Sequence, residues 1–424
     1  MATGSPNSPD LTHDVSDSAG LLAPFRYRPF RRLVAARCAS SFDKTMAPVV
    51  LAFAVLDLNG SPLDLGLVIG ARSLALVAFV MVGGVVADRL PRMLVLQGSG
   101  VGAGAALALA AASMYGGFAS VSLLLWLSLI SGAFAGISLP AIMALTPETV
   151  PGGLIRQANT ASRLGANAAL LIGASSAGIV VATLSSATGI VLDAAMCALM
   201  AISFTGLGQT SAVPARAGAH PIRDLREGWQ EFTGRQWLWV VTVAFALVNA
   251  AAAGGLQVLG PVVADDSFGR SVWGFALAAQ TGGMLFGGLT AMYWKPARAL
   301  GATVALSILE TCPLLVLAFH PQPVLLMLAM TAAGIAMELF GIAWDVSLQD
   351  NVPADRLARI YAYDALGSYV TIPIGQAIAG PLAGRVGTDV TLLLCAGLVV
   401  VAIAGALCSR SLRELTRNPG HDKR

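Results

Sequence analysis

Apolar runs of membrane-spanning length recur along almost the whole chain, and polar residues are confined to short breaks between them. A hydrocarbon core of ~30 Å takes about 20 apolar residues in a helix. Such runs predict twelve transmembrane helices, at 33–57, 63–87, 93–114, 119–141, 158–183, 187–207, 238–261, 271–293, 299–319, 322–344, 357–383 and 388–408. They are continuous Ala/Leu/Val/Gly stretches, not the short alternating segments of a barrel, so the predicted class is an all-α polytopic membrane protein. The longest break, 208–236, carries Arg216, Arg223, Arg226 and Arg235. Within it, PIRDLREGWQEF reads as a short amphipathic helix on the membrane surface. Six spans lie on each side of that break. The expected organisation is a disordered Ser/Asp/Pro-rich N-terminus (1–28), a six-helix half (29–207), a central loop (208–236), a second six-helix half (237–409) and a tail (410–424).

Positive charge sets the orientation. With Arg163 and Arg359 counted at helix entrances, 21 of the 26 Lys and Arg fall on the N-terminal side of the membrane. Two face the other side (Arg270, Arg385) and three lie within helices (Arg37, Lys44, Arg72). Both termini are therefore expected in the cytoplasm, the protein being multi-pass in the cell membrane. The N-terminus lacks the basic start and short apolar stretch of a secretory signal, so the first helix is expected to remain as an anchor.

An internal repeat supports two halves. At a constant offset of 202, residues 150–180 align without gaps to 352–382, with identities that include Val150/Val352, Pro151/Pro353, Gly165/Gly367, Gly173/Gly375 and Gly178/Gly380. Parallel repeats of this kind place a substrate site between the halves near the membrane midplane.

Composition narrows the function. Charged residues make up 12% of the chain and hydrophobic ones 56%, whereas a soluble domain carries about a quarter charged residues. The net charge of +3 gives no footprint for nucleic acid. Five cysteines sit singly in apolar runs and four histidines fall in termini or loops. Neither pattern suits a disulfide framework, a metal site or a metalloenzyme. No GxxxxGK[ST] phosphate loop occurs. No cofactor and no catalytic activity are expected.

The loop between the second and third helices reads Gly83-Gly84-Val85-Val86-Ala87-Asp88-Arg89-Leu90-Pro91-Arg92. It resembles the cytoplasmic signature of the major facilitator superfamily, with Pro91 where Gly is usual and Met93 where a second basic residue is common. Asn59-Gly60-Ser61-Pro62 leading into Leu65-Gly66-Leu67-Val68, and Val150-Pro151, are similar to the macrolide- and enterobactin-exporter-like branch. The resemblance implies the twelve-helix major facilitator fold and a conformational gate at Gly84, Asp88, Arg89 and Arg92. A carboxylate at a helix C-terminus opposes the dipole, so Asp88 calls for a partner that a rocking transporter can make and break; the plainer alternative is a solvated turn. The second half lacks the motif. Two further family signatures are degraded: 124–136 contains no charge, and the fifth-helix Gly-Pro has become Gly173-Ala174.

An ionisable group at a helix centre costs ~3 kcal/mol, so each is a candidate for function. Asp43 and Arg72 enter from opposite sides to similar depth and are expected to pair, with Asp43 taking up a proton or a cationic substrate; the alternative is a permanent structural ion pair. Glu338 is a second proton-coupling candidate. Asn249, Gln257, Gln280, Tyr361, Asp364 and Tyr369 are candidates for the substrate cavity, against the alternative of structural bonds between helices. Glu310 is awkward on a helix expected to be peripheral. The reading that best joins these features is a monomeric, proton-driven exporter of amphipathic small molecules, with the substrate, protons and the lipid bilayer as its partners. An uptake permease for a nutrient is the alternative, and a non-transporting polytopic sensor is a third class.

Overall fold

The computed structural model describes residues 22–145, 149–151, 154–205, 230, 232–294, 296 and 298–415. Most of the surface helix expected in 208–236 and most of the N-terminal tail lie outside the described residues. The helices are α1 (Arg28–Asp57), α2 (Pro62–Arg89), α3 (Arg92–Tyr115), α4 (Val121–Ala144), α5 (Ile155–Thr183) and α6 (Ser186–Ser203). After the central loop come α7 (Gln236–Asp266), α8 (Arg270–Tyr293), α9 (Ala299–Phe319) and α10 (Pro323–Asn351). The last three are α11 (Ala354–Tyr369), α12 (Thr371–Val386) and α13 (Thr388–Cys408). Ten helices among the described residues are long and apolar enough to cross a membrane. The protein is a multi-pass, all-α membrane protein.

Those ten fall on ten of the expected runs. The remaining two, 271–293 and 357–383, are helical as well but are not among those ten. The first is α8. The second is two helices meeting at Val370, because Pro373 has no N–H to give to the Tyr369 carbonyl four residues back. Ordered structure also begins earlier than expected, with a 3-10 turn at Ala23–Arg26 and an edge-on contact between Phe25 and Phe30.

Three helices depart from regularity for visible reasons. α1 carries Pro48 in its interior. α7 contains a π-helical stretch, Ala253–Leu259, where Gly254 and Gly255 tolerate the wider turn and Pro261 withholds the donor that an α-helix would offer the Gln257 carbonyl. α9 tightens to a 3-10 turn at Ser307–Glu310.

Helix ends are specified locally. Asn59-Gly60-Ser61-Pro62 makes the turn from α1 to α2: Asn59 takes φ 56°, and the Gly60 N–H donates to the Val55 carbonyl at 2.9 Å. Ser61 then closes a capping box with Asp64, whose carboxylate accepts from the Ser61 N–H at 2.8 Å. Ser120 and Ser185 cap α4 and α6 by accepting from the Leu123 and Thr188 N–H groups.

Small residues draw the helices together, and the same contacts recur in both parts of the chain. A Cβ on Gly132 (α4) would lie 2.2 Å from the Arg72 carbonyl oxygen of α2, and one on Gly334 (α10) 2.0 Å from the Gln280 carbonyl oxygen of α8. A Cβ on Gly173 (α5) would lie 2.8 Å from the Phe42 carbonyl oxygen of α1, and one on Gly375 (α12) 2.1 Å from the Ala250 carbonyl oxygen of α7. Without side chains between them the backbones touch, which is how helices associate where lipid removes the hydrophobic drive. The glycines stand 202 residues apart and their partners 208 apart, so a six-residue difference in loop length separates the two repeats.

Candidate functional site: a buried ionic cluster in the first six helices

Asp43 lies mid-way along α1 and Arg72 near the middle of α2. Both are buried, at 8% and 6% exposure. Arg72 Nη2 reaches both oxygens of Asp43, at 2.7 and 2.8 Å. The expected pair is therefore formed, with two charges removed from solvent and matched to one another. Gly132 makes it possible, since a side chain there would strike the Arg72 backbone. Arg72 Nε is buried without a hydrogen-bond partner.

The sequence reading missed a third member. Asp193 of α6 is fully buried, at 0% exposure, and faces both Asp43 and Arg72. Four residues on, Cys197 on the same face of α6 brings its Sγ to 4.0 Å from Asp43 Oδ1. A signal was present: Asp193 is an acidic residue in the middle of the apolar run 187–207, and the rule that selected Asp43 selects it equally. Lys44, next to Asp43 along the chain, is exposed, and its charge acts on Asp43.

Among the described residues the cluster has no counterpart in the second set of helices. The glycine contacts place Ala251 at the position of Asp43 and Gln280 at that of Arg72. Gln280 is half-buried. Glu338 on α10 is half-buried too, with Arg163 of α5 and Asp345 as the charges that act on it.

Several cavity candidates are occupied with bonds between helices. Asp364 accepts from Thr242 Oγ1 at 2.9 Å, Trp344 Nε1 at 2.9 Å and Ser368 Oγ at 3.4 Å. Asn249 donates to the Ser368 carbonyl at 3.1 Å, and Gln257 Oε1 accepts from Gln376 at 2.7 Å. The Tyr361 hydroxyl donates to Asp345 at 3.1 Å. Tyr369 stays open, at 55% exposure. Glu310 sits in the 3-10 turn of α9 with Oε1 buried and unpartnered. Asp88 and Arg89 end α2, and Arg92 begins α3. The side chains of Asp88, Arg89 and Arg92, and Gly84, lie outside the described residues.

Helices before and after the central loop meet closely on the face opposite that loop. Arg270 Nη1, at the start of α8, donates to Asp57 Oδ1, at the end of α1, at 2.7 Å. Its Nε bonds Asp265 at 2.6 Å, and its guanidinium lies 4.9 Å from the Phe53 ring centre. Ser186 donates to the other Asp57 oxygen. Nearby, Gly178 of α5 and Gly274 of α8 touch backbone to backbone, and Gly380 of α12 abuts Pro62 and Leu63 of α2.

A bundle of this topology, with repeated helix contacts and charges held inside it, defines a membrane transporter of the secondary type. The model of the Major Facilitator Superfamily matches residues 33–363, and the chain belongs to that family of non-catalytic transporters. It is 25% identical over 384 residues to the multidrug efflux pump Tap of Mycolicibacterium fortuitum, covering 87% of this chain and 92% of that one. It is also 25% identical over 413 residues to the enterobactin exporter EntS of Escherichia coli O1:K1 / APEC, covering 92% and 94%. Among solved structures, the nucleoside transporter NupG superposes with a TM-score of 0.73 at 15% identity, covering 91% of this chain and 99% of that one. That last likeness is one of fold.

Proposed function

We propose that this transporter is a proton-coupled exporter of amphipathic small molecules, with twelve spans in two six-helix halves and both termini in the cytoplasm. The observation that carries the reading is the Asp43–Arg72 pair, buried mid-membrane at 2.7 Å in one half only. Charges are costly there, and a titratable carboxylate beside a fixed cation gives a proton site whose occupancy alters the charge of the bundle. Two exporters align over nearly the whole chain, which favours outward transport. The tight face opposite the central loop, held by Asp57–Arg270, corresponds in this orientation to a closed external side. Asp88 then serves as a gate on the cytoplasmic side, and the exposed Tyr369 and half-buried Gln280 are the polar groups left free to meet a substrate.

The test is a dye and drug efflux panel in cells expressing the protein, with and without a protonophore. Export that collapses with the gradient is expected. Gradient-driven accumulation inside the cell would replace this reading with the uptake permease.

A further inference from the structure

Asp193 poses a problem that the Asp43–Arg72 pair does not solve. Its side chain is fully buried on α6, and neither of its carboxyl oxygens has an N–H or O–H donor within reach. Yet it lies beside Asp43, one helical turn from Cys197, whose Sγ is 4.0 Å from Asp43 Oδ1. Two ionised carboxylates offer only acceptors to each other and repel. A proton resolves both difficulties, because a protonated carboxyl is a donor.

The charge balance points the same way. With both aspartates ionised, the three groups carry one net negative charge inside an apolar bundle; with one proton they are neutral. Among the described residues of the surrounding helices, the other cation whose charge acts on Asp43 is Lys44, and it is exposed to solvent, which screens it. Between Met93 and Tyr115 on α3, and along α4, no residue is ionisable apart from Tyr115 at the far end. On α1 the neighbouring cation is Lys44, which is exposed, and Arg37 lies further along with its guanidinium on Ser162 at 2.9 Å. On α5 the nearest cation is Arg163, also exposed. On α6 the other titratable neighbour is Cys197.

We propose that Asp43 and Asp193 form a single proton-binding site, an acid–carboxylate pair holding one proton between their facing oxygens, with Arg72 as counter-ion to the remaining negative charge. A cavity of about 20 Å³ touches Asp43 and is lined also by Ser40, Ser99, Ser138 and Cys197. That is room for one water, bounded by hydroxyls able to orient it. Loading forms one O–H bond on a carboxylate oxygen with a proton from water. Release breaks that bond, returns the proton to water and leaves both carboxylates facing Arg72. No other bond changes. Titration belongs to the pair and not to either residue.

This deepens the proton-coupling reading and rests on it for its role, but its test uses no transport. Full-length protein in detergent micelles is titrated by infrared difference spectroscopy in H2O and D2O, as the parent with both aspartates, Asp43→Asn, Asp193→Asn and Asp193→Glu, with thermal melting to establish folding. The aspartate parent is expected to show a protonated-carboxyl C=O band with a deuterium shift. Each Asn variant should lose that band, because the remaining aspartate then pairs with Arg72 as a carboxylate, and Asp193→Glu should restore it at a shifted position. If one Asn variant fails to fold, the other decides alone. All four proteins carry Glu310→Gln, which removes the other carboxyl with a buried, unpartnered oxygen among the described residues; a band that survives in a folded Asn variant, or no titrating band in the aspartate parent, overturns the shared-proton site. Failure of the efflux panel with the band pattern intact would instead remove the exporter reading and leave the proton site standing.

Discussion

Asp57→Asn tests whether the contact between α1 and α8 holds one face of the transporter shut. The Arg270–Asp57 bond spans 2.7 Å, with the two side chains 22% and 31% exposed. A hydrogen bond to a charged group is worth about 1.5–3 kcal/mol, and partial exposure to solvent brings a pair of this kind down to about 1–2 kcal/mol. At 1.4 kcal/mol per factor of ten, removing the charge should favour separation of the two sets of helices at that face by about 5- to 30-fold. Hydrogen–deuterium exchange read by mass spectrometry checks it. Uptake should rise in peptides covering 55–66 and 263–274 and stay level within α3. Asp265→Asn is the control: Asp265 bonds the same arginine at 2.6 Å but lies on α7, next to α8 in the chain, so its loss leaves the α1 contact in place. Unchanged exchange in Asp57→Asn, or an equal response in Asp265→Asn, would refute the latch.

Three further outcomes are expected. Arg72→Leu leaves two buried carboxyls without a cation and should destabilise the protein by about 3–5 kcal/mol, whereas Asp43→Asn leaves Arg72 facing Asp193 and should cost less while abolishing gradient-driven transport; thermal melting and efflux assays on the same preparations decide. Gly178→Val forces a side chain into the Gly274 backbone, 2.4 Å from where its Cβ would lie, and should raise exchange at the same face as Asp57→Asn without touching a charge. Asp88→Ala should slow turnover more than it weakens substrate binding, measured by initial rates against equilibrium binding of an exported dye; the reverse pattern removes the gate.

Much of the architecture is legible in the sequence because lipid imposes a simple length rule on each apolar run. Asp43 and Arg72 could be paired from depth alone, since α1 and α2 are joined by a short turn and run antiparallel. Asp193 carries the same signal as Asp43, an acid inside an apolar run, but its pairing is not legible. It has no charged neighbour along its own helix, and its partners come from helices more than a hundred residues away, which no periodicity reveals. By sequence alone Asn249 and Gln257 could serve a substrate or bond a neighbouring helix, and contact geometry shows them bonded to Ser368 and Gln376. The repeat of the first two helices stayed hidden because its offset, 208, differs from the 202 of the fifth. Only contact geometry brings the two into register.

Pro48 adds a mechanical condition. It stands on α1 between Asp43 and Asp57, and having no N–H it leaves the Lys44 carbonyl without its usual helical donor. A rod with a missing rung bends more easily there than elsewhere. The ionic cluster and the Asp57 latch therefore sit on two stiff segments joined at a soft elbow, 14 residues or ~21 Å apart at 1.5 Å per residue. Strain introduced at one segment reaches the other as a change of angle at that elbow, and stiffening it, as Pro48→Ala would, should tie the two ends of α1 into one motion.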